Sequence, residues 1–187
     1  MSGVDILQRI WTALHAATKQ GTGFTLGFLG TVSNGGGPRI RAVILRRFDR
    51  SPDRIFFATH ASAQKAIEIR DQPQVALTLQ DNDSALQLRI EGTASVVEDP
   101  AQRRNAWESL APHSQQLYAS PEVPGRPLTQ NVHSLVDDSE MRSAFERFAW
   151  IRIDLAWLDW LDLSTEPQQR WQFRLNEGSW RGQRVVP

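Results

Sequence analysis

The segment FTLGFLGTVSNGGGPRIRAVILRRF (residues 24–48) decides the fold. Two apolar, β-rich runs flank a glycine-rich turn, a pattern typical of a β-hairpin, and the turn lacks the GxxxxGK[ST] motif of a phosphate loop. Alternate residues of a strand share a face. This divides the second run into one face with Arg39, Arg41, Val43 and Leu45 and another with Ile40, Ala42, Ile44 and Arg46. Each face passes from apolar to cationic. The arginines are therefore either a solvated sheet rim or a set of planar donors for a phosphate.

The rest of the chain continues this strand-rich pattern. Helical spacing predicts an amphipathic helix over residues 4–20, and a second helix is predicted over 62–73 with Ser62 as its N-cap. Strands are predicted at 54–59, 74–81 and 84–99, the last one bent at Gly92, and three more follow residue 149. A third helix begins at Pro100, and residues 137–148 are helical or mobile. We predict one α+β domain over residues 1–187, with a mainly antiparallel sheet of six to eight strands and a few peripheral helices.

Composition excludes several classes of function. The 187 residues carry 21 basic and 21 acidic side chains, so net charge favours neither nucleic acid nor a membrane surface as partner. The absence of cysteine excludes disulfides and thiolate chemistry. The four histidines have no metal-ligand spacing, and there is no GxSxG motif, so neither a metal site nor a hydrolase triad is predicted. Without a secretory-signal pattern or an apolar run near the roughly 18 residues of a membrane span, we expect a cytoplasmic protein.

A second cation makes a phosphate site the better interpretation of the arginines. Lys65 lies near the start of the predicted helix 62–73, directly after a strand. A helix N-terminus carries positive partial charge and free amide groups, so a lysine is poorly placed there unless an anion binds beside it. A phosphate held at this point would explain both Lys65 and the arginines.

Four motifs occur in the order found in the pyridoxamine 5′-phosphate oxidase family of FMN-binding split barrels. They are RAVILR (41–46), FFATHASAQK (56–65), LQLRIEG (86–92) and a C-terminal set formed by Trp160, Arg170, Trp180 and RVVP. The chain resembles that family over about residues 20–187. The resemblance implies a Greek-key split barrel that binds FMN, and a homodimer with two equivalent sites at the subunit interface.

The resemblance also implies which residues hold FMN. The flavin strand would comprise Arg41, Ala42, Val43, Ile44, Leu45 and Arg46, with Arg41 on the phosphate. Ala58 and Thr59 would lie beside the flavin. Lys65 would hold the phosphate, with Gln64 in place of a family arginine. Gln87 would meet the isoalloxazine ring, Trp160 and Arg170 match groups supplied across the dimer interface, and Ser120 lies in the region of a further phosphate contact. From the residues alone, both tryptophans can also be core or dimer-interface aromatics, which is the better interpretation for Trp180 and an equal alternative for Trp160.

Departures from the family pattern bear on the substrate. Where the true oxidases carry R-L-H to grip pyridoxal phosphate, this chain has Glu166, Pro167 and Gln168. The oxidases' Tyr, Arg and Ser on the helix after the long strand are matched to Trp107, Ala111 and Gln115. A glutamate facing a substrate phosphate would repel it, so the vitamin B6 substrate is not supported and a related flavoprotein is predicted.

Three hypotheses follow. The first is an FMN-dependent oxidoreductase for a small substrate, in which hydride passes to flavin N5 and Arg170 and Gln87 stabilise charge at N1/O2. No catalytic residue is assigned. The second is a non-catalytic FMN-binding or sensor protein. The third is a β-barrel that binds haem or the deazaflavin F420 through the same cations, with His60 close to the presumed phosphate site.

Overall fold

In the computed structural model, which describes residues 2–19, 23–127 and 138–187, eight strands form one antiparallel sheet. The strands are β1 Leu26–Val32, β2 Pro38–Asp49, β3 Arg54–His60, β4 Gln74–Asp81, β5 Leu86–Val96, β6 Phe148–Asp162, β7 Gln169–Asn176 and β8 Ser179–Val185. The helices are α1 Gly3–Ala17, α2 Gln64–Asp71, α3 Pro100–Glu108, α4 Pro112–Gln116 and α5 Asp138–Arg147, and Gly23–Thr25 forms a 3₁₀ turn.

The sheet closes into a Greek-key barrel. Its order is β3-β2-β1-β4-β5-β6-β7-β8, and β6 also pairs with β3, so six strands form the barrel and β7 and β8 extend it. Because β4 returns beside β1 after the β1–β2–β3 meander, the connectivity is that of a Greek key. The predicted α+β class and the antiparallel split barrel with peripheral helices are confirmed.

The hairpin of β1 and β2 buries one of the two faces that the alternation defined. Val43 and Leu45 lie in the barrel core, whereas Ile40 and Ile44 face outward. A β-bulge between Leu45 and Arg47 interrupts the register with β3. The bulge shifts the alternation by one residue, which is why Phe48 is buried although strict alternation from Ile44 would place it outside.

A second bulge bends β5 where the sequence predicted a bend. The register with β6 shifts between Glu91 and Gly92, and a Cβ built on Gly92 would lie 2.3 Å from the Asp154 carbonyl oxygen. Only glycine allows so close an approach of the two backbones.

The apolar side chains form two clusters on opposite faces of β3 and β6. The main core fills the barrel and includes the inner face of α1, with Ile6, Ile10 and Leu14 fully buried. The second cluster lies outside the barrel, between β3, β6 and the helices α3 and α5. It is rich in aromatic side chains, which are Phe56, Trp107, Tyr118, Phe145, Phe148 and Trp150. As a result, β3 is covered on both faces.

Some predicted boundaries are wrong. The N-cap of α2 is Ala63, not Ser62, because the Ser62 amide N–H instead donates to Nδ1 of His60. Helix α1 ends at Ala17, and the short helix α4 was not predicted. Part of the proline-rich loop 119–132 lies outside the described residues. Among the helices of the described residues, none is long and apolar enough to cross a membrane.

Candidate functional site

A buried carboxylate organises the barrel end beneath α2. Glu68, on the inner face of α2, is 0% exposed and accepts hydrogen bonds from Thr31 (2.6 Å) and Arg41 (2.9 Å). Arg39 lies 3.3 Å from its other oxygen, and Arg41 also donates to Thr31. The anion that these two arginines contact is therefore a side chain of the same protein.

Lys65 lies beside this group in the first turn of α2. Its Nζ donates to Oγ1 of Thr59, the buried residue near the end of β3, at 3.1 Å. Burial lowers the pKa of Lys65, and the positive charge of Arg41 lowers it further, while Glu68 opposes the shift. A half-buried ammonium close to a second cation is the environment that an incoming anion would stabilise.

The Glu68 carboxylate is strongly stabilised in its ionised form. Burial alone would raise its pKa, but the hydrogen bond from Thr31 and the charges of Arg41 and Arg39 together hold that pKa below its ordinary value. The carboxylate therefore cancels one positive charge at the very position where the sequence predicted phosphate binding.

The four arginines of β2 have different partners. Arg39 and Arg41 pair with Glu68, and Arg47 pairs with Asp49 through two bonds of 2.7 Å. Arg46, which is half-buried, has no ion pair among the described residues, and its charge acts on the Tyr118 side chain. Arg46 and Lys65 are thus the cations of this region without a carboxylate partner in the described part of the chain.

A second polar group lies on the outer face of β5, β6 and β7. Arg170 binds the carboxylate of Asp159 through two nitrogens, at 3.0 and 2.7 Å, and Arg89 donates to the same carboxylate. These three residues line a cavity of about 130 Å³ together with Gln87 and Leu161. The structure therefore brings the predicted Gln87 and Arg170 together, and adds Arg89 and Asp159, which the sequence analysis missed.

The remaining predicted residues occupy varied surroundings. Ala58 packs against the second cluster, Gln64 is exposed, and Ser120 is exposed with its Oγ accepting from the Glu122 amide at 3.2 Å. Trp160 is 1% exposed inside the barrel and packs edge-on to Phe24, so this ring is part of the core of a single chain.

The residues matched to substrate-binding positions do not share one site. Trp107 is buried in the second cluster, whereas Ala111 is exposed and Gln115 donates to the Trp107 carbonyl oxygen at 2.9 Å. Tyr118 was missed by the sequence analysis: burial raises its pKa to about 12, and the charge of Arg46 opposes this. Nothing in its local sequence marked it as a neighbour of Arg46.

The two polar groups lie apart on one chain. The registers place Arg41 opposite Leu29 on β1, Leu29 opposite Leu77 on β4, and Leu77 opposite Ile90 on β5. Strand β5, which carries Gln87, is thus three strand spacings from Arg41, roughly 14 Å along the sheet. The cations near α2 and the Gln87 cavity are separate surfaces of a single subunit.

An apolar surface separates the two groups. Leu26, Phe28, Ile40 and Ile44 point outward from β1 and β2 and are 40–75% exposed. Cross-strand registers pair Leu26 with Ile44 and Gly30 with Ile40, so the side chains form one continuous surface, which we call the β1–β2 face. A groove of about 420 Å³ runs along its edge toward β4. Contiguous exposed apolar surface of this kind marks an interaction site.

The fold is a six-stranded Greek-key barrel with cations at the start of the helix that follows β3. This architecture is that of the split-barrel class of proteins. The family model for pyridoxamine 5′-phosphate oxidase matches residues 14–150, and the chain belongs to that family. A pyridoxine/pyridoxamine 5′-phosphate oxidase of Granulibacter bethesdensis is 33% identical over 119 residues, which are 61% of this chain and 55% of that protein. The chain thus matches about half the length of this curated relative.

Solved structures share the fold across nearly the whole chain. An FMN-binding protein of Nostoc punctiforme, described as related to pyridoxamine 5′-phosphate oxidase, superposes with a TM-score of 0.79 at 23% identity and full coverage of both chains. PhzG of Burkholderia lata, solved with tetrahydrophenazine-1-carboxylic acid, gives 0.71 at 16% identity over 98% of this chain and 92% of its own. At these low sequence identities, the two superpositions establish a common fold.

Proposed function

We propose that this protein is an FMN-binding flavoprotein that acts as an oxidoreductase on a small substrate. The observation that carries the proposal is the contact between the Lys65 ammonium and the Thr59 hydroxyl at the start of α2. Lys65 has no carboxylate partner among the described residues, and burial and the nearby charge of Arg41 lower its pKa. This donor set fits the terminal phosphate of FMN, and the similarity to an FMN-binding protein of Nostoc punctiforme supports that choice.

In this proposal, residues of the chain bind FMN and orient it. Lys65 and Thr59 would hold the phosphate, with Arg46 as a further cation on the same strand as Arg41. Gln87 and Arg170 would contact the ring, which supplies the redox chemistry by accepting hydride from the substrate. No side chain of the described residues is assigned as a general base, and this reaction requires none.

The proposed substrate is not pyridoxamine phosphate. An exposed turn between β6 and β7 contains Glu166, Pro167 and Gln168. The family resemblance implies that the oxidases carry cationic residues at these positions. A carboxylate there would repel a substrate phosphate. A small substrate without a phosphate group fits these residues better.

The deciding measurement is the absorbance spectrum of the purified, dialysed protein, before and after release of any chromophore by heat. We expect a flavin spectrum and about one FMN per chain in the supernatant. A haem or F420 spectrum, or a protein that takes up no added FMN, would contradict the proposal. Flavin that is retained but not reduced by nicotinamide cofactors or candidate substrates would instead identify a non-catalytic FMN-binding protein.

We further propose a homodimer assembled through the β1–β2 face, with a second copy of the chain as the occupant. The Gln87 cavity and the α2 cations lie on either side of this face, roughly 14 Å or more apart on one subunit. A second copy packed on the face would bring its own Gln87 and Arg170 toward the cations of the first. Two equivalent FMN sites would then form at the interface, as the family resemblance implies.

Replacing Phe28 with aspartate should produce a monomer. Phe28 is 47% exposed at the centre of the β1–β2 face, so the charge would be desolvated by dimerisation but not by folding. Sedimentation velocity should show the loss of the dimer, and FMN affinity should fall at least tenfold because each site would lack its second subunit. The matched control is Val4→Asp, at a 78% exposed position on α1, which should leave both properties unchanged. A dimeric Phe28→Asp protein would contradict this interface.

A further inference from the structure

Asp159 is a buried carboxylate on a strand face that otherwise meets solvent. It lies on β6 between Leu158 and Trp160, which point into the barrel, yet it is itself only 1% exposed. The long side chains of Arg170 and Arg89 cover it, and Gln172 lies 3.4 Å from the same oxygen. Its burial is therefore produced by its own hydrogen-bond partners.

The carboxylate determines both the orientation and the effective charge of Arg170. A two-point contact between guanidinium and carboxylate fixes the plane of the guanidinium group. Burial would raise the pKa of Asp159, but the hydrogen bonds from Arg170 and Arg89 outweigh burial and hold that pKa below its ordinary value. The same contact raises the pKa of Arg170. Both groups therefore remain ionised.

We propose that Asp159 is a positioning residue that sets the redox potential of the bound flavin. Arg89, Asp159 and Arg170 together carry one net positive charge, where two arginines alone would carry two. The inference rests on the proposed function, because it requires FMN to lie beside Gln87 and Arg170. Two-electron reduction places negative charge on the flavin ring, and nearby protein charge tunes how readily this happens. By cancelling one positive charge, Asp159 makes the flavin harder to reduce.

Asp162 provides a matched comparison within the same strand. It too is 1% exposed, and it pairs with Arg9 of α1 at 3.3 Å. It lies three positions along the strand from Asp159, so it lies on the opposite face of β6, away from the Gln87 cavity. Asp162→Asn thus removes a buried carboxylate from an arginine pair without changing the charge on the proposed flavin face.

The test compares midpoint potentials of four FMN-loaded proteins: the unmodified protein, Asp159→Asn, Arg89→Gln and Asp162→Asn. Each is equilibrated with a reference dye under anaerobic reduction. At the midpoint of the unmodified protein, we expect the ratio of reduced to oxidised flavin to rise at least tenfold in Asp159→Asn, about 30 mV for a two-electron couple. Arg89→Gln removes a positive charge and should lower the ratio. Asp162→Asn should change it less than twofold.

The signs of the shifts separate an electrostatic role from a merely structural one. Shifts of the same sign in Asp159→Asn and Arg89→Gln, or equal shifts in Asp159→Asn and Asp162→Asn, would overturn the inference. If Asp159→Asn does not fold, the sign of the shift in Arg89→Gln tests the inference, because Arg89 is 42% exposed and tolerates replacement. FMN binding without any shift would refute this inference alone, whereas an unmodified protein that binds no FMN would refute the proposed function and this inference with it.

Discussion

Lys65→Met should weaken FMN binding about 30- to 150-fold, which corresponds to the ~2–3 kcal/mol of a hydrogen bond to a charged group. The ammonium of Lys65 is held by Thr59 and has no carboxylate partner among the described residues, so an external phosphate would be its counter-ion. Titration of the apoprotein with FMN, followed by flavin fluorescence, gives the dissociation constant. Methionine keeps an unbranched side chain, one atom shorter than that of lysine, and removes the charge.

Riboflavin and Lys19→Met provide the controls for this prediction. Riboflavin lacks the phosphate, so its affinity should be the same for Lys65→Met and the unmodified protein. Lys19 is exposed after α1, and its replacement should not change FMN binding. Because the pKa of Lys65 is lowered, FMN affinity of the unmodified protein should decrease as the pH rises toward that value, below the ordinary 10.5 of lysine. An equal loss of riboflavin and FMN affinity would show that Lys65 does not contact the phosphate.

Glu68→Ala should destabilise the fold by about 3–5 kcal/mol, the effect of leaving a buried ion pair without one partner. Arg41 would keep its charge at a largely buried position, and the Thr31 hydroxyl would lose its acceptor. For a chain of this size, each kcal/mol lowers Tm by about 2–4 °C, so a fall of roughly 10 °C is expected. Calorimetry measures it directly. Asp71→Ala, at the exposed end of the same helix, should change Tm by less than about 2 °C.

The lowered pKa of Glu68 also predicts how the free energy of unfolding changes with acidification. A group whose pKa is lower in the folded than in the unfolded state stabilises the fold above its unfolded pKa, and that contribution is lost as the pH falls through the folded value. For Glu68 the loss should begin below the ordinary value of 4.5. The difference in unfolding free energy between the unmodified protein and Glu68→Gln should therefore narrow with acidification from pH 6. A difference that stayed constant to pH 3 would contradict the assigned role of Glu68.

The sequence predicted the strands well because their pattern is local. Alternation located β1, β2, β3 and β4 to within about two residues, and glycine marked the bulge of β5. The cations were recognised because arginine is unusual on an apolar strand, where Arg41 lies, and lysine is unusual at a helix N-terminus, where Lys65 lies. The two buried carboxylates of the site, Glu68 and Asp159, had no such signal. Glu68 lies on a polar helix and Asp159 on an alternating strand, and their burial depends on which strands and helices meet.

The start of α2 and the burial of Trp160 show two further limits of the sequence pattern. Ser62 carries the residue type of an N-cap, but the contact between its amide and His60 sets the start of α2 one residue later. Trp160 has the same residue type in a core as at an interface, so its burial on the inward face of β6 could not be read from the sequence. The contact between Ser62 and His60 spans only two residues, whereas the burial of Trp160 depends on strands that are distant in sequence.

The pairing of β6 with both β5 and β3, which closes the barrel, has a consequence for how the protein is made. Arg54 on β3 lies opposite Asp154 on β6, so the contact that closes the barrel joins residues 100 positions apart. At about 5–20 residues per second, the ribosome adds the 51 residues between Val96 and Phe148 in roughly 3–10 s. Until then, the nascent sheet has two open edges, at β3 and β5. An open edge is a template for pairing with another chain, so these seconds are the interval of greatest exposure to misassembly.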